Sequence, residues 1–186
     1  MKLLAFAASH RPDSYNRKLL QCAISHLKAQ SIIIDFVEYG EFDMPIYNDT
    51  IPETSGIPDY AYRLASRAKD ADGIMIASPE YNWSYPGSLK NIIDWTSCID
   101  SNPLSGKTAL LMSATPGSRG GIIGLQHLKT PLEALEILVF HKVFPLGKCL
   151  EAFDKNGNLS DPKQSEHLHT ILDRYVTFTR NHSNKQ

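Results

Sequence analysis

Cysteine is scarce in this sequence: Cys22, Cys98 and Cys149 are far apart, odd in number and form no C-x-x-C pair. That pattern excludes a disulfide framework, a thioredoxin-like motif and a cysteine zinc set, and reduced, mostly buried thiols are expected. An excess of either charge is also missing. Lys and Arg number 19 against 20 Asp and Glu, for a formal charge of −1, so nucleic acid and anionic membranes are not expected partners. No apolar run approaches the roughly 20 residues of a membrane span. The apolar start, Met1 to Ala8, ends at Ser9-His10-Arg11 and reads as a buried strand instead of a signal peptide, which makes the cytoplasm the expected compartment.

Several catalytic signatures are absent as well. There is no G-x-G-x-x-G, no G-x-S-x-G elbow and no H-E-x-x-H, so a dinucleotide fingerprint, an α/β-hydrolase nucleophile and a zincin site are excluded. Gly106-Lys107-Thr108 resembles the end of a P-loop, but Ser101 stands at the required leading glycine and the segment enters a strand. His167 and His169 sit on different sides of a predicted helix and are expected at the surface. His10 has no visible acid or nucleophile partner and receives no catalytic role.

The 186 residues are 42% hydrophobic and 21% charged. Such a chain buries roughly 70% of its unfolded surface and needs no staple, so residues 1–186 are expected to form one domain. Short apolar runs alternate with segments of helical period. Strands are predicted at Leu3 to Ala8, Ile32 to Val37, Gly73 to Ala77, Lys107 to Met112 and Ile137 to Phe140. Helices are predicted from Ser14, from about Pro58 to Asp70, from Pro86 to Trp95, from Ile122 to Leu135 and from Asp161 to Thr179. A loop rich in Pro, Asp and Asn spans Gly40 to Gly56. The result is an α/β fold, a parallel doubly wound sheet with helices on both faces, in which ligands bind beyond the carboxyl ends of the strands.

Three loops lie at those ends. The first, Ala8 to Asn16, offers hydroxyls, an amide, a helix N-terminus and the charge of Arg11, which suit a phosphate; Ser14 or Asp13 also suits plain helix capping. The second, Ser78 to Gly87, carries three aromatic rings within five residues, which suit a planar ligand or a subunit contact. The third, Ser113 to Gly121, has glycines that allow close backbone approach.

Together these loops resemble the NADPH-dependent FMN reductase family, a flavodoxin-like group that includes quinone, azo and chromate reductases. The family's G-S-x-R-x-x-S-x-N resembles Ala8 to Asn16, with alanine at the first glycine. Its P-E-Y-N followed by P-G-x-L-K-N-x-I-D-W matches Pro79-Glu80-Tyr81-Asn82 and Pro86 to Trp95. The resemblance implies a five-stranded flavodoxin-like sheet of order 2-1-3-4-5. It implies that Ser9, Arg11, Ser14 and Asn16 hold the FMN phosphate. Pro79, Glu80, Tyr81 and Asn82 would border the isoalloxazine, with Thr115 and Gly117 at its pyrimidine side. It further implies hydride transfer from NADPH or NADH to FMN, and then electron transfer to a quinone, free flavin, azo compound or similar small acceptor. Tyr81, Trp83 and Tyr85 would shape the acceptor face, in a homodimer or homotetramer, and no side-chain acid or base is required. Arg119 suits either an NADPH phosphate or an ordinary surface position. The alternative is a flavodoxin-type electron carrier reduced by a partner protein, although such carriers tend to be acidic.

Overall fold

The structure is a computed structural model that describes residues 1–38, 40, 43–100 and 102–183. Ser101 lies outside the described residues, as do residues 39, 41 and 42, of which the last two fall in the predicted loop after the second strand. The strands are β1 (Lys2–Ala7), β2 (Ile33–Val37), β3 (Gly73–Ala77), β4 (Thr108–Ala114), β5 (Leu138–Val139) and β6 (Phe144–Leu146). The helices are α1 (Tyr15–Lys28), α2 (Ile51–Ser55), α3 (Asp59–Lys69), α4 (Gly87–Ser97), α5 (Ile122–Ala134) and α6 (Pro162–Ser183).

Every ladder is parallel, and the order is β2-β1-β3-β4-β5. β3 and β4 are buried throughout, which is why they read as unbroken apolar runs instead of alternating ones. Residues of opposite parity feed opposite faces. Leu3 and Ala5 pack under α1 and α6, whereas Leu4 and Phe6 pack under α3, α4 and α5. α1 follows its sequence signals closely: Ser14 Oγ accepts the Arg17 N–H at 3.3 Å, and Leu19, Leu20, Ala23, Ile24 and Leu27 form its buried stripe.

The far edge departs from the single fifth strand predicted at Ile137 to Phe140. β5 pairs only with Thr108 and Ala109, and a separate β6 pairs with Met112 to Ala114. His141 and Lys142 between them are exposed; two hydrated side chains do not fit a strand buried on both faces, so the chain bows out and returns. The short α2 also falls inside the predicted loop. Pro52 sits in its first turn, where no N–H is needed, and Gly56 ends it at a φ of 77°.

α6 is tied to the sheet by a buried polar node. The Tyr175 hydroxyl donates toward the Ile74 carbonyl at 3.0 Å, and the Thr108 and Thr179 hydroxyls meet at 2.7 Å. Residue 73 must be glycine for this to fit, since a Cβ there would stand 2.5 Å from both Tyr175 Oη and Thr108 Oγ1. Burial pushes the Tyr175 phenol up to about 12.

The cysteines are free, with Cys149 buried and Cys22 and Cys98 half-buried. His167 is exposed as expected, but His169 is half-buried and stacks on His26, the rings 3.9 Å apart and 9° from parallel. His26 Nε2 meets Asp173 Oδ1 at 2.7 Å, and Gln30 donates to the same oxygen at 2.7 Å. Burial, and then the neighbouring His26, push His169 below the usual imidazole range, with Asp173 opposing them. A folded-state histidine held low binds its proton later than the unfolded chain does. Its contribution is therefore intact above about pH 6.5 and is lost as the pH falls through that value. Thermal melts should show the midpoint dropping as the pH falls below about 6.5, with a shallower drop in His169→Phe; equal slopes in the two proteins would refute the assignment.

Candidate functional site

The carboxyl ends of β1, β3 and β4 open on one cavity of about 230 Å³. Ser9, Arg11, Ser14 and Asn16 line it from the first loop, Pro79, Glu80 and Tyr81 from the second, and Thr115 from the third. Those predicted residues, spread over more than a hundred positions, are thus brought together. Asn82 and Gly117 are not among the lining residues, whereas Tyr15, Ala114, Pro116, Cys149 and Leu150 are.

At the polar end, Ser9 Oγ accepts the Arg11 N–H at 3.4 Å and Ser14 Oγ caps α1. Each hydroxyl keeps its proton to donate. Arg11 is the single cationic side chain of the lining, and the first turn of α1 holds no acid to compete with an anion. Burial pushes the Cys149 thiol up, and a backbone hydrogen bond and then the charge of Arg11 offset only part of the rise. Ala8, where the family pattern has glycine, is 1% exposed with its methyl in the core beside Phe6 and Ile76. It therefore leaves the loop clear.

The Asn16 side chain, besides lining the cavity, is hydrogen-bonded within the chain. Its Nδ2 donates to the Ala114 carbonyl at 3.0 Å, and its Oδ1 accepts the Ala114 N–H at 2.8 Å. The amide thereby welds the start of α1 to the end of β4. Glu80 ties the other two loops together, its carboxylate accepting the Gly124 N–H at 2.7 Å in the first turn of α5. Gly124 permits this approach, since a Cβ there would lie 3.2 Å from Glu80 Cγ and 3.1 Å from the Ser84 carbonyl oxygen.

Asn82 and Trp83 form the tip of a tight turn whose flanking residues, Tyr81 and Ser84, exchange hydrogen bonds of 2.8 and 3.0 Å. Gly117 is exposed, and its carbonyl accepts the Lys148 N–H at 3.2 Å. The most specific stretch of the sequence signature, Pro86 to Trp95, supplies no lining residue. Asn91 accepts the Tyr47 N–H at 2.7 Å and donates to the Pro45 carbonyl at 3.0 Å, while Trp95 Nε1 donates to that same carbonyl at 2.7 Å. This segment therefore fastens the 44–47 loop to α4. Cys149 and Leu150 reach the cavity after β6, where the Cys149 N–H donates to the Thr115 carbonyl at 3.1 Å, and no local pattern announces that contact.

Hydroxyls and a guanidinium at a helix N-terminus, next to an aromatic and aliphatic slot, fit a phosphate joined to a flat ring system, as in FMN. A parallel sheet of this order with such a cavity at its carboxyl edge defines a flavodoxin-like mononucleotide-binding protein. The sequence profile of NADPH-dependent FMN reductase matches residues 1–151, and the chain belongs to that family of flavin-dependent oxidoreductases. An NAD(P)H-dependent FMN reductase of Pseudomonas aeruginosa is 35% identical over 97% of this chain and 96% of its own. A 2-hydroxy-1,4-benzoquinone reductase of a Burkholderia species is 31% identical over 97% of both chains. Among solved structures, the flavoenzyme NAD(P)H:(acceptor) oxidoreductase FerB from Paracoccus denitrificans superposes with a TM-score of 0.83 at 28% identity, covering 97% of this chain and 98% of its own.

Truncating the amide in Asn16→Ala strands a buried N–H and a buried carbonyl at Ala114, a loss of about 2–4 kcal/mol. Urea unfolding measures it, and a loss below about 1 kcal/mol would show that the weld contributes little beyond an ordinary hydrogen bond.

Proposed function

We propose that this protein takes hydride from NAD(P)H onto FMN and delivers the electrons to a quinone, free flavin, azo compound or similar small acceptor. The observation that carries the reading is the single cavity in which a cationic, hydroxyl-bearing helix N-terminus adjoins an apolar slot formed by Pro79, Tyr81 and Leu150. Ser9, Arg11 and Ser14 hold the phosphate through charge-assisted and neutral hydrogen bonds. Asn16 keeps α1 at the depth that lets its N-terminal N–H groups face the anion. Pro79 to Asn82 border the ring system through backbone groups, Glu80 fixing that loop, and Thr115 borders the opposite side.

Bound FMN supplies the hydride acceptor, so the chain itself provides position and electrostatics instead of an acid or base. Tyr81 and Leu150, 52% and 63% exposed, form an open apolar mouth that admits flat acceptors without encoding one. We place the whole chain, residues 1–186, in one domain working in the cytoplasm. We assign it a homodimer or homotetramer in which a second copy covers exposed apolar side chains such as Ile46. No helix among the described residues is long and apolar enough to cross a membrane.

An anaerobic visible spectrum of the FMN-loaded protein should bleach on adding NADPH or NADH with no other protein present. Flavin that stays oxidised with both donors would favour a carrier reduced by a partner. Separately, Arg11→Ala should weaken FMN binding roughly tenfold to a hundredfold in a fluorescence titration, since the phosphate loses the loop's full charge. Unchanged affinity would remove Arg11 from the phosphate site.

A further inference from the structure

At the cavity rim the second and third loops meet through one pair of side chains. The Arg119 guanidinium lies over the Trp83 ring, 5.2 Å from its centre. Tyr81, two residues before Trp83, and Pro116, three before Arg119, both line the cavity. The tip residues Asn82 and Trp83 have φ values of 49° and 67°. With the paired hydrogen bonds of Tyr81 and Ser84, these make a two-residue turn whose second position favours glycine. A bulky indole in that position is backbone strain without a packing reason, because Trp83 is 59% exposed and outside both core clusters.

The pair has the chemistry of a receptor. No carboxylate or carbonyl among the described residues pairs with the Arg119 side chain, which is exposed. A guanidinium stacked on an aromatic face is oriented by it and keeps its planar fork of N–H donors for an anion. The uncovered part of the indole offers a surface on which a second flat ring can lie.

We propose that Trp83 and Arg119 form a rim subsite that binds a planar ligand through an anionic oxygen group, a proposal that rests on the flavin-reductase reading for its place beside the cavity. Two ligands share this chemistry. One is an acceptor whose ring bears an ionised hydroxyl or carboxylate, and the other is the adenosine 2′-phosphate end of NADPH. Arg119 fixes the anionic oxygens and Trp83 stacks the ring, so the subsite selects among entering molecules without touching the electron transfer.

The chain has its own reporter, because its two tryptophans differ so sharply: Trp95 is fully buried and Trp83 exposed. Tryptophan emission of the FMN-loaded protein is titrated with 2-hydroxybenzoate and with adenosine 2′-phosphate, and with their neutral counterparts 2-hydroxybenzamide and adenosine. At least one anion should give a saturable change that is absent in Trp83→Phe. Its affinity should fall about tenfold or more in Arg119→Gln, while any response to the neutral counterparts is unaffected. A response to 2-hydroxybenzoate assigns the subsite to the acceptor, and one to adenosine 2′-phosphate assigns it to the nucleotide donor. No saturable response to either anion, or an undiminished response in Arg119→Gln, overturns the proposal. Failure of the reductase reading shows instead as flavin that does not bind or does not bleach, an outcome independent of the tryptophan titration.

Discussion

The two hydrogen bonds between the Asn16 amide and the Ala114 backbone join residues 98 positions apart. They decide where the first helix begins relative to the end of the fourth strand, and with that the depth of the cavity floor. Since the amide and both backbone groups are buried, the link has little competition from water. The Glu80 carboxylate adds a second tie, from the loop after β3 to the start of α5. With both in place the three loops need little rearrangement on binding, which lowers the ordering cost that a ligand would otherwise meet.

The two ties divide the positive ends of the helices between them. A carboxylate of the chain itself occupies the N-terminal turn of α5, so that helix has less charge to offer an incoming anion. The start of α1 has hydroxyls and a nearby guanidinium but no acid in its first turn. An anion entering the cavity therefore meets one preferred end. A ligand with a phosphate at one terminus and a flat ring at the other is oriented by that asymmetry before any specific ring contact forms.

Much of this was legible in the sequence because parallel strands buried on both faces leave apolar runs that little else in a soluble chain produces. The fifth strand was legible at Ile137 to Phe140, where β5 forms, but the separate β6 was not, since it has three residues and makes no run. Polar residue types singled out the first loop, whose Ser9, Arg11, Ser14 and Asn16 line the cavity, but an asparagine is equally able to donate to a phosphate or to a carbonyl. Which acceptor lies within 3 Å of Asn16 is a property of the folded chain. The Pro86 to Trp95 signature illustrates the converse: it identified the family, while in the folded chain its Asn91 and Trp95 hold the 44–47 loop instead of lining the cavity. Cys149 and Leu150 gave no signal, as they reach the cavity only through a turn after a strand that the sequence did not reveal.

The divided edge strand bears on how the protein behaves in a crowded solution. An edge strand presents a row of unmatched backbone donors and acceptors on which another chain can assemble. Here the row is interrupted by the exposed pair His141 and Lys142, and Pro145, in the middle of β6, has no N–H to donate. At the opposite edge, Asp35 of β2 carries charge and is gripped by Lys2 and Arg67. Neither side of the sheet thus offers a long regular template, and a fold with so many buried apolar strands is protected against growing into an intermolecular sheet.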